Sequence, residues 1–291
     1  MESSRDRPIG VFDSGVGGLT VVRELMALLP GEDIVYFGDT ARVPYGTKSA
    51  ETVVRFARED LAFLRSRDVK LIVVACNTAS SIALPRLADE SGLPVIGVLL
   101  PGARGAAAAT RNNRIAVIGT TATVTSGAYE KALLDINPGF EIMSRPCPLF
   151  VSLAEEGWVD DDVAMMVARR YLEPLTGFGA DTLVLGCTHY PLLKGVISGV
   201  MGSGVALVDS AKETAAEVRE TLASSGLLSK DDSGGQIYVY LSDIPYRFRE
   251  VAERFLGRPV ESVEQVAGPG GKESGEVCRD MTAERAASSD R

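Results

Sequence analysis

The sequence predicts an α/β protein of two similar domains with parallel sheets. A pseudo-twofold axis relates the domains, and the active site lies in the cleft between them. Three observations carry this prediction. Short apolar runs alternate with segments able to form helices, each apolar run ends in small or polar residues, and the second half of the chain repeats the pattern of the first. A length of 291 residues is more than one compact core needs and is comfortable for two.

In chain order, strands are expected at residues 8–12, 34–37, 70–75, 95–98, 114–118, 182–185, 206–208 and 236–241. The runs at 8–12, 70–75, 114–118 and 182–185 are almost wholly apolar, as strands covered on both faces of a parallel sheet must be. Helices are expected at 19–29, 49–67, 163–172 and 211–224. The repeat is read in two pairs. PIGVFDSG at residue 8 is matched by RIAVIGTT at residue 114, and LIVVACNT (71–78) by TLVLGCTH (182–189). The expected division is 1–98 with 208–266 as the first domain and 99–207 as the second. Residues 267–291, rich in Gly, Ser and charge, are expected to be a disordered tail.

Composition narrows the function. A formal net charge of −9 and the lack of a dense Lys/Arg run argue against nucleic acid as a partner. The acidity also repels anionic substrates, so local groups would have to hold one. The opening MESSRDRPIG has no apolar core segment, and the most apolar stretch, 93–109, is interrupted by Pro94, Pro101 and Arg104. No membrane association and a cytoplasmic location are expected. The four cysteines are widely and irregularly spaced, with no CxxC pair, so neither a disulfide framework nor a structural zinc site is expected.

Two cysteines stand out. Cys76 ends an apolar strand and precedes NTAS, a probable helix start; this is the carboxyl end of a sheet, where open α/β folds bind ligands. Helix N-termini also favour a thiolate. Cys187 repeats that context in the second half, which places the two thiols facing each other across the cleft. Inversion of a carbon centre by proton transfer needs one such group on each face. An unperturbed thiol has a pKa of about 8.5, so neighbours must hold one thiol deprotonated and the other protonated. His189, the single histidine, stands two residues after Cys187. Cys147, between two prolines, reads as a packed thiol. The loop Asp13-Ser14-Gly15-Val16-Gly17-Gly18 is neither GxGxxG nor a P-loop; it reads as a tight turn, or as backbone amides beside an anionic group with Asp13 next to it. No nucleotide, pyridoxal or metal motif is present, and no cofactor and no metal are expected.

These segments carry a resemblance. GVFDSGVGGLT (10–20), YFGDTARVPYG (36–46), ACNTAS (75–80), PLF (148–150) with EEG (155–157), and GCTHYP (186–191) resemble the glutamate racemases of the aspartate/glutamate racemase family, in the family's order from about Ile9 to Val266. The resemblance implies interconversion of L- and D-glutamate without pyridoxal phosphate or metal, supplying D-glutamate for peptidoglycan. It implies that Cys76 and Cys187 are the two proton donors and acceptors and that Asp13, Glu155 and His189 tune them. It further implies that Asp13, Ser14, Tyr45, Gly46, Asn77, Thr78, Thr188 and His189 line the substrate site, with the choice between Glu155 and Glu156 open. A homodimer and an interaction with DNA gyrase stay open too, since nothing in the sequence marks either surface. Racemisation of aspartate or a hydantoin, or a hydrolase with a cysteine nucleophile, are the competing activities.

Overall fold

The computed structural model describes residues 4–230, 234–266 and 276–277. The strands are β1 (Ile9–Asp13), β2 (Ile34–Gly38), β3 (Leu71–Val74), β4 (Val95–Gly97), β5 (Arg114–Gly119), β6 (Glu141–Pro146), β7 (Thr182–Gly186), β8 (Ala206–Asp209), β9 (Ile237–Leu241), β10 (Val263–Gln265) and β11 (Glu276–Val277). The helices through the first half are α1 (Leu19–Leu28), α2 (Ala50–Ser66), α3 (Asn77–Ile82), α4 (Leu84–Ser91), α5 (Leu99–Ala109), α6 (Thr121–Thr125) and α7 (Ala128–Ile136). They are followed by α8 (Leu149–Glu156), α9 (Asp162–Phe178), α10 (Lys194–Met201), α11 (Ser210–Ser224) and α12 (Phe248–Leu256).

Two sheets result, with orders β11-β10-β9-β2-β1-β3-β4 and β6-β5-β7-β8. The first contains the unit β2-β1-β3-β4, and the second is that unit again, with β5 in the place of β1 and β7 in the place of β3. Every pairing is parallel except the edge pair of β10 with β11. The two-domain α/β architecture read from the sequence is thus present. β1, β3 and β7 are buried along their whole length, which is why their sequences are unbroken apolar runs. Each fully covered Ile, Val or Phe among them contributes about 1.5–3 kcal/mol of burial.

All eight expected strands lie within two residues of their expected ends. The expected helix at 163–172 runs on to Phe178, with Pro174 inside it. β6 was not foreseen: it is a partly exposed edge strand, EIMSRP, without an apolar run to announce it. β8 stays in the second sheet as far as Asp209, so the expected return to the first domain at residue 208 falls inside a strand. Of the expected disordered tail, Glu276 and Val277 pair with β10, and the rest lies outside the described residues, as does Cys278. No helix among the described residues is long and apolar enough to cross a membrane.

The register sets up the site. Ile9 lies opposite Leu71 and Phe12 opposite Val74, so Asp13 and Cys76 emerge from the same carboxyl edge. In the second sheet Gly119 lies opposite Gly186, so Thr120 and Cys187 emerge together.

Candidate active site

Cys76 is the N-cap residue of α3, and Cys187 follows β7 directly. Both are buried, and both line one cavity of about 20 Å³ between the two sheets. Ser14, Tyr45, Gly46, Asn77, Thr78, Thr188 and His189 line it too, so most of the sequence-selected residues converge there. Asp13 and Glu155 stand behind this lining.

The surroundings of the two thiols differ. The Cys76 sulphur donates to Ser14 Oγ at 3.6 Å. Burial pushes the Cys76 thiol up to about 12; nearby Asp13 adds to this, while the Ala79 amide and Ser14 work against it. Asp13 is itself raised by burial, against the pull of His189 and of the Gly15 and Gly18 amides. Its Oδ2 accepts from the Gly15 amide at 3.0 Å, and its Oδ1 has no hydrogen-bond partner among the described residues. A buried carboxyl with a free oxygen beside a thiol is placed to exchange a proton with it, and burial makes it a stronger base than an exposed carboxylate.

Cys187 faces an imidazole. Its sulphur lies 3.8 Å from His189 Nδ1, and Nε2 of the same ring lies 2.9 Å from Glu155 Oε1. Burial alone would strip the proton from His189. Its contacts with Cys187 and Glu155 outweigh that and bring its pKa up to about 10. Glu155 is therefore the glutamate that reaches the site. Glu156, the next residue along α8, forms an exposed ion pair with Arg247. Arg254 of α12 donates to the Glu155 carbonyl at 2.7 Å and fixes that end of α8.

The glycine loop after β1 turns out to be a packing device. A β-carbon on Gly17 would stand 2.3 Å from Thr188 Oγ1 and 2.6 Å from the His189 ring, and one on Gly18 would stand 2.6 Å from Asp13 Cβ. Only glycine lets the loop lie against the His189 strand end. Thr20 of α1 completes this contact by donating to the Thr188 carbonyl at 3.2 Å.

Tyr45 is buried, and its hydroxyl is committed to the carboxylates of Asp39 and, at 2.9 Å, Asp60. Arg42 binds the same two carboxylates. The Tyr45-Gly46 turn is thereby anchored in the first domain while Gly46 packs on Thr120 of the second. Cys147 is a fully buried thiol, pushed up to about 12 by burial, and does not line the cavity.

The sequence reading missed Thr120 and Thr123, whose hydroxyls form a triangle with that of Thr78 at 3.0–3.2 Å. A signal was available: in the internal repeat, Thr120 occupies the place of Ser14. Among the described residues, no cluster of His, Cys, Asp or Glu is arranged to hold a metal ion.

The repeated parallel α/β units are those of the amino-acid racemases, a class of isomerases. Residues 9–218 match the Asp/Glu/Hydantoin racemase family, and the chain belongs to it. It is 56% identical over 261 residues to the glutamate racemase of Geobacter metallireducens, covering 90% of this chain and 97% of that one. Among solved structures, glutamate racemase from Francisella tularensis in complex with D-glutamate superposes with a TM-score of 0.85 at 41% identity, over 90% of this chain and 98% of that one. Glutamate racemase from Thermus thermophilus in complex with beta-chloro-D-alanine does so with a TM-score of 0.82 at 50% identity, over 91% and 98%.

Proposed function

We propose that this chain interconverts L- and D-glutamate by passing protons between two thiols and the α-carbon. The observation that carries the reading is the placement of Cys76 and Cys187 at equivalent strand ends lining one cavity. The 56% identity to a glutamate racemase supports glutamate over aspartate or a hydantoin.

From L-glutamate, the Cys187 thiolate takes the α-proton and the Cys76 thiol delivers one to the opposite face. The high pKa of Cys76 suits it to hold a proton until then. From D-glutamate the roles exchange. Cys76 then needs a partner to take its proton, and the buried Asp13 carboxyl, through its raised pKa, fits that role. His189, held by Glu155, does the same for Cys187. Ser14, Tyr45, Gly46, Asn77, Thr78 and Thr188 bind the substrate, Tyr45 through its backbone and ring, since its hydroxyl is engaged elsewhere. With the boundary moved from 207/208 to the end of β8, the domains are 1–98 with 210–266 and 99–209, and the site between them supplies the local attraction that a net charge of −9 denies an anionic substrate. Moving a proton off one face of Cα and onto the other changes no oxidation state, so no redox cofactor is called for, and in this reading the reaction runs without pyridoxal phosphate or metal. The product would serve peptidoglycan synthesis in the cytoplasm.

The test is racemisation of L-glutamate in D₂O with the enantiomers resolved. Early D-glutamate should carry deuterium at Cα while the remaining L-glutamate stays largely protiated, because one thiol carries the abstracted proton away and the other delivers a deuteron. Cys76→Ala and Cys187→Ala should each abolish the reaction. Substantial racemisation by either variant, or D-glutamate retaining its original proton, would remove the two-thiol reading.

A further inference from the structure

Asn77 presents a donor that nothing in the protein uses. Its Nδ2 is buried with no hydrogen-bond partner among the described residues, although the residue is only 2% exposed and lines the cavity between the thiols. Its Oδ1, in contrast, accepts from the Tyr129 hydroxyl at 2.6 Å. Tyr129 belongs to α7 beside the second sheet and Asn77 to α3 beside the first, so this bond crosses between the domains.

A carboxamide can turn over and exchange its oxygen and nitrogen, and the partner decides which way it settles. Tyr129 is built to decide. It is 2% exposed, and its ring and hydroxyl are hemmed in by glycines: a β-carbon on Gly186 would lie 3.2 Å from Cε2, and one on Gly102 would lie 3.2 Å from the hydroxyl. The tyrosine proton goes to Asn77 Oδ1, and both Nδ2 hydrogens are left for another acceptor. Buried away from bulk solvent, a donor without an acceptor is costly, and an anionic oxygen satisfies it best.

We propose that Tyr129 is a positioning residue that fixes the Asn77 amide with Nδ2 toward the cavity, where it donates to a carboxylate of the substrate. This rests on the reading of the cavity as a glutamate site. Tyr129 acts through Asn77 and touches neither substrate nor thiol.

The experiment is a double-mutant cycle of Tyr129→Phe and Asn77→Ala, with kcat and KM for glutamate in both directions and melting temperature for each variant. Each single variant should raise KM by roughly 10- to 100-fold, the range for a hydrogen bond to a charged group, with kcat within about threefold of wild type. In the double variant, Tyr129→Phe should add no more than about twofold, because its target is already gone. Should Tyr129→Phe melt much earlier than wild type, Gly102→Ala takes its place in the cycle, since it crowds the hydroxyl without removing it. KM penalties that multiply in the double variant, or a wild-type KM in well-folded Tyr129→Phe, would overturn the positioning role while the glutamate reading stands. A wild-type chain that leaves glutamate unchanged would overturn both.

Discussion

Gly17→Ala tests the active-site geometry with a single methyl group far from the thiols in sequence. The new β-carbon would lie 2.3 Å from Thr188 Oγ1 and 2.6 Å from His189 Cε1 and Nδ1, whereas ordinary contact begins near 3.4 Å. Thr188 and His189 must therefore retreat by about 1 Å. That shift lengthens the 3.8 Å contact from His189 to the Cys187 sulphur and strains the 2.9 Å contact to Glu155. Misplacing a catalytic group by about 1 Å costs roughly 100-fold in rate. Overpacking should also cost about 1–3 kcal/mol of stability, which a domain of ordinary stability survives folded. The assay is the initial rate of glutamate racemisation followed by optical rotation or circular dichroism, with a thermal melt alongside. Gly177→Ala, in α9 with nothing within 4 Å of its added β-carbon, is the control and should leave turnover unchanged. A Gly17→Ala enzyme with kcat/KM within about threefold of wild type would refute the claim that the glycine loop sets the position of His189.

Asp13→Asn, Glu155→Gln and His189→Asn should each lower kcat more than they raise KM, by roughly 10- to 10⁴-fold, as the loss of acid/base support requires; steady-state kinetics in both directions would check this, and unchanged kcat in all three would reject their roles. His189 is raised from 6.5 to about 10 in the folded chain, so its protonation stabilises the fold fully below about pH 6.5, and that stabilisation is lost as pH rises toward about 10. The melting-temperature advantage of wild type over His189→Asn should accordingly shrink across that window, and an advantage growing with pH would contradict the ion pair with Glu155. A chain ending at Val266 loses the outermost strand β11, at the sheet edge far from β1 and β3; it should melt slightly earlier and racemise at a similar rate, and a large loss of kcat in the folded truncation would tie the C-terminal segment to the site.

The fold was legible where burial is complete. β1, β3, β5 and β7 are central strands with apolar partners on both faces, so their sequences can hold little else, and the internal repeat then gave their equivalence. The edge strand β6 keeps one side in solvent and carries Glu141 and Arg145, which hid it. The two cysteines were legible for the same reason as the strands they terminate. Glu155 and Glu156 could not be separated, because successive helical residues point about 100° apart and only the packing of α8 against the His189 turn shows which one faces inward. Thr123, Tyr129 and the packing role of Gly17 depend on contacts between segments from different domains, which no local pattern encodes.

Those same contacts lie where the two domains meet around the cavity. A cavity of about 20 Å³ has room for roughly one water molecule and far too little for an amino acid, so the walls must part before substrate enters. Among the described residues, the bonds across the parting line include Thr78 with Thr120 and Thr123, Thr20 with the Thr188 carbonyl, Tyr129 with Asn77, and Arg254 with the Ala154 and Glu155 carbonyls. The cross-domain bonds that reach the cavity are thus those of neutral hydroxyls and an amide, while the cross-domain ion pairs Arg247 with Glu156 and Arg104 with Glu217 sit at the exposed rim, where such a pair is worth about 0–1 kcal/mol.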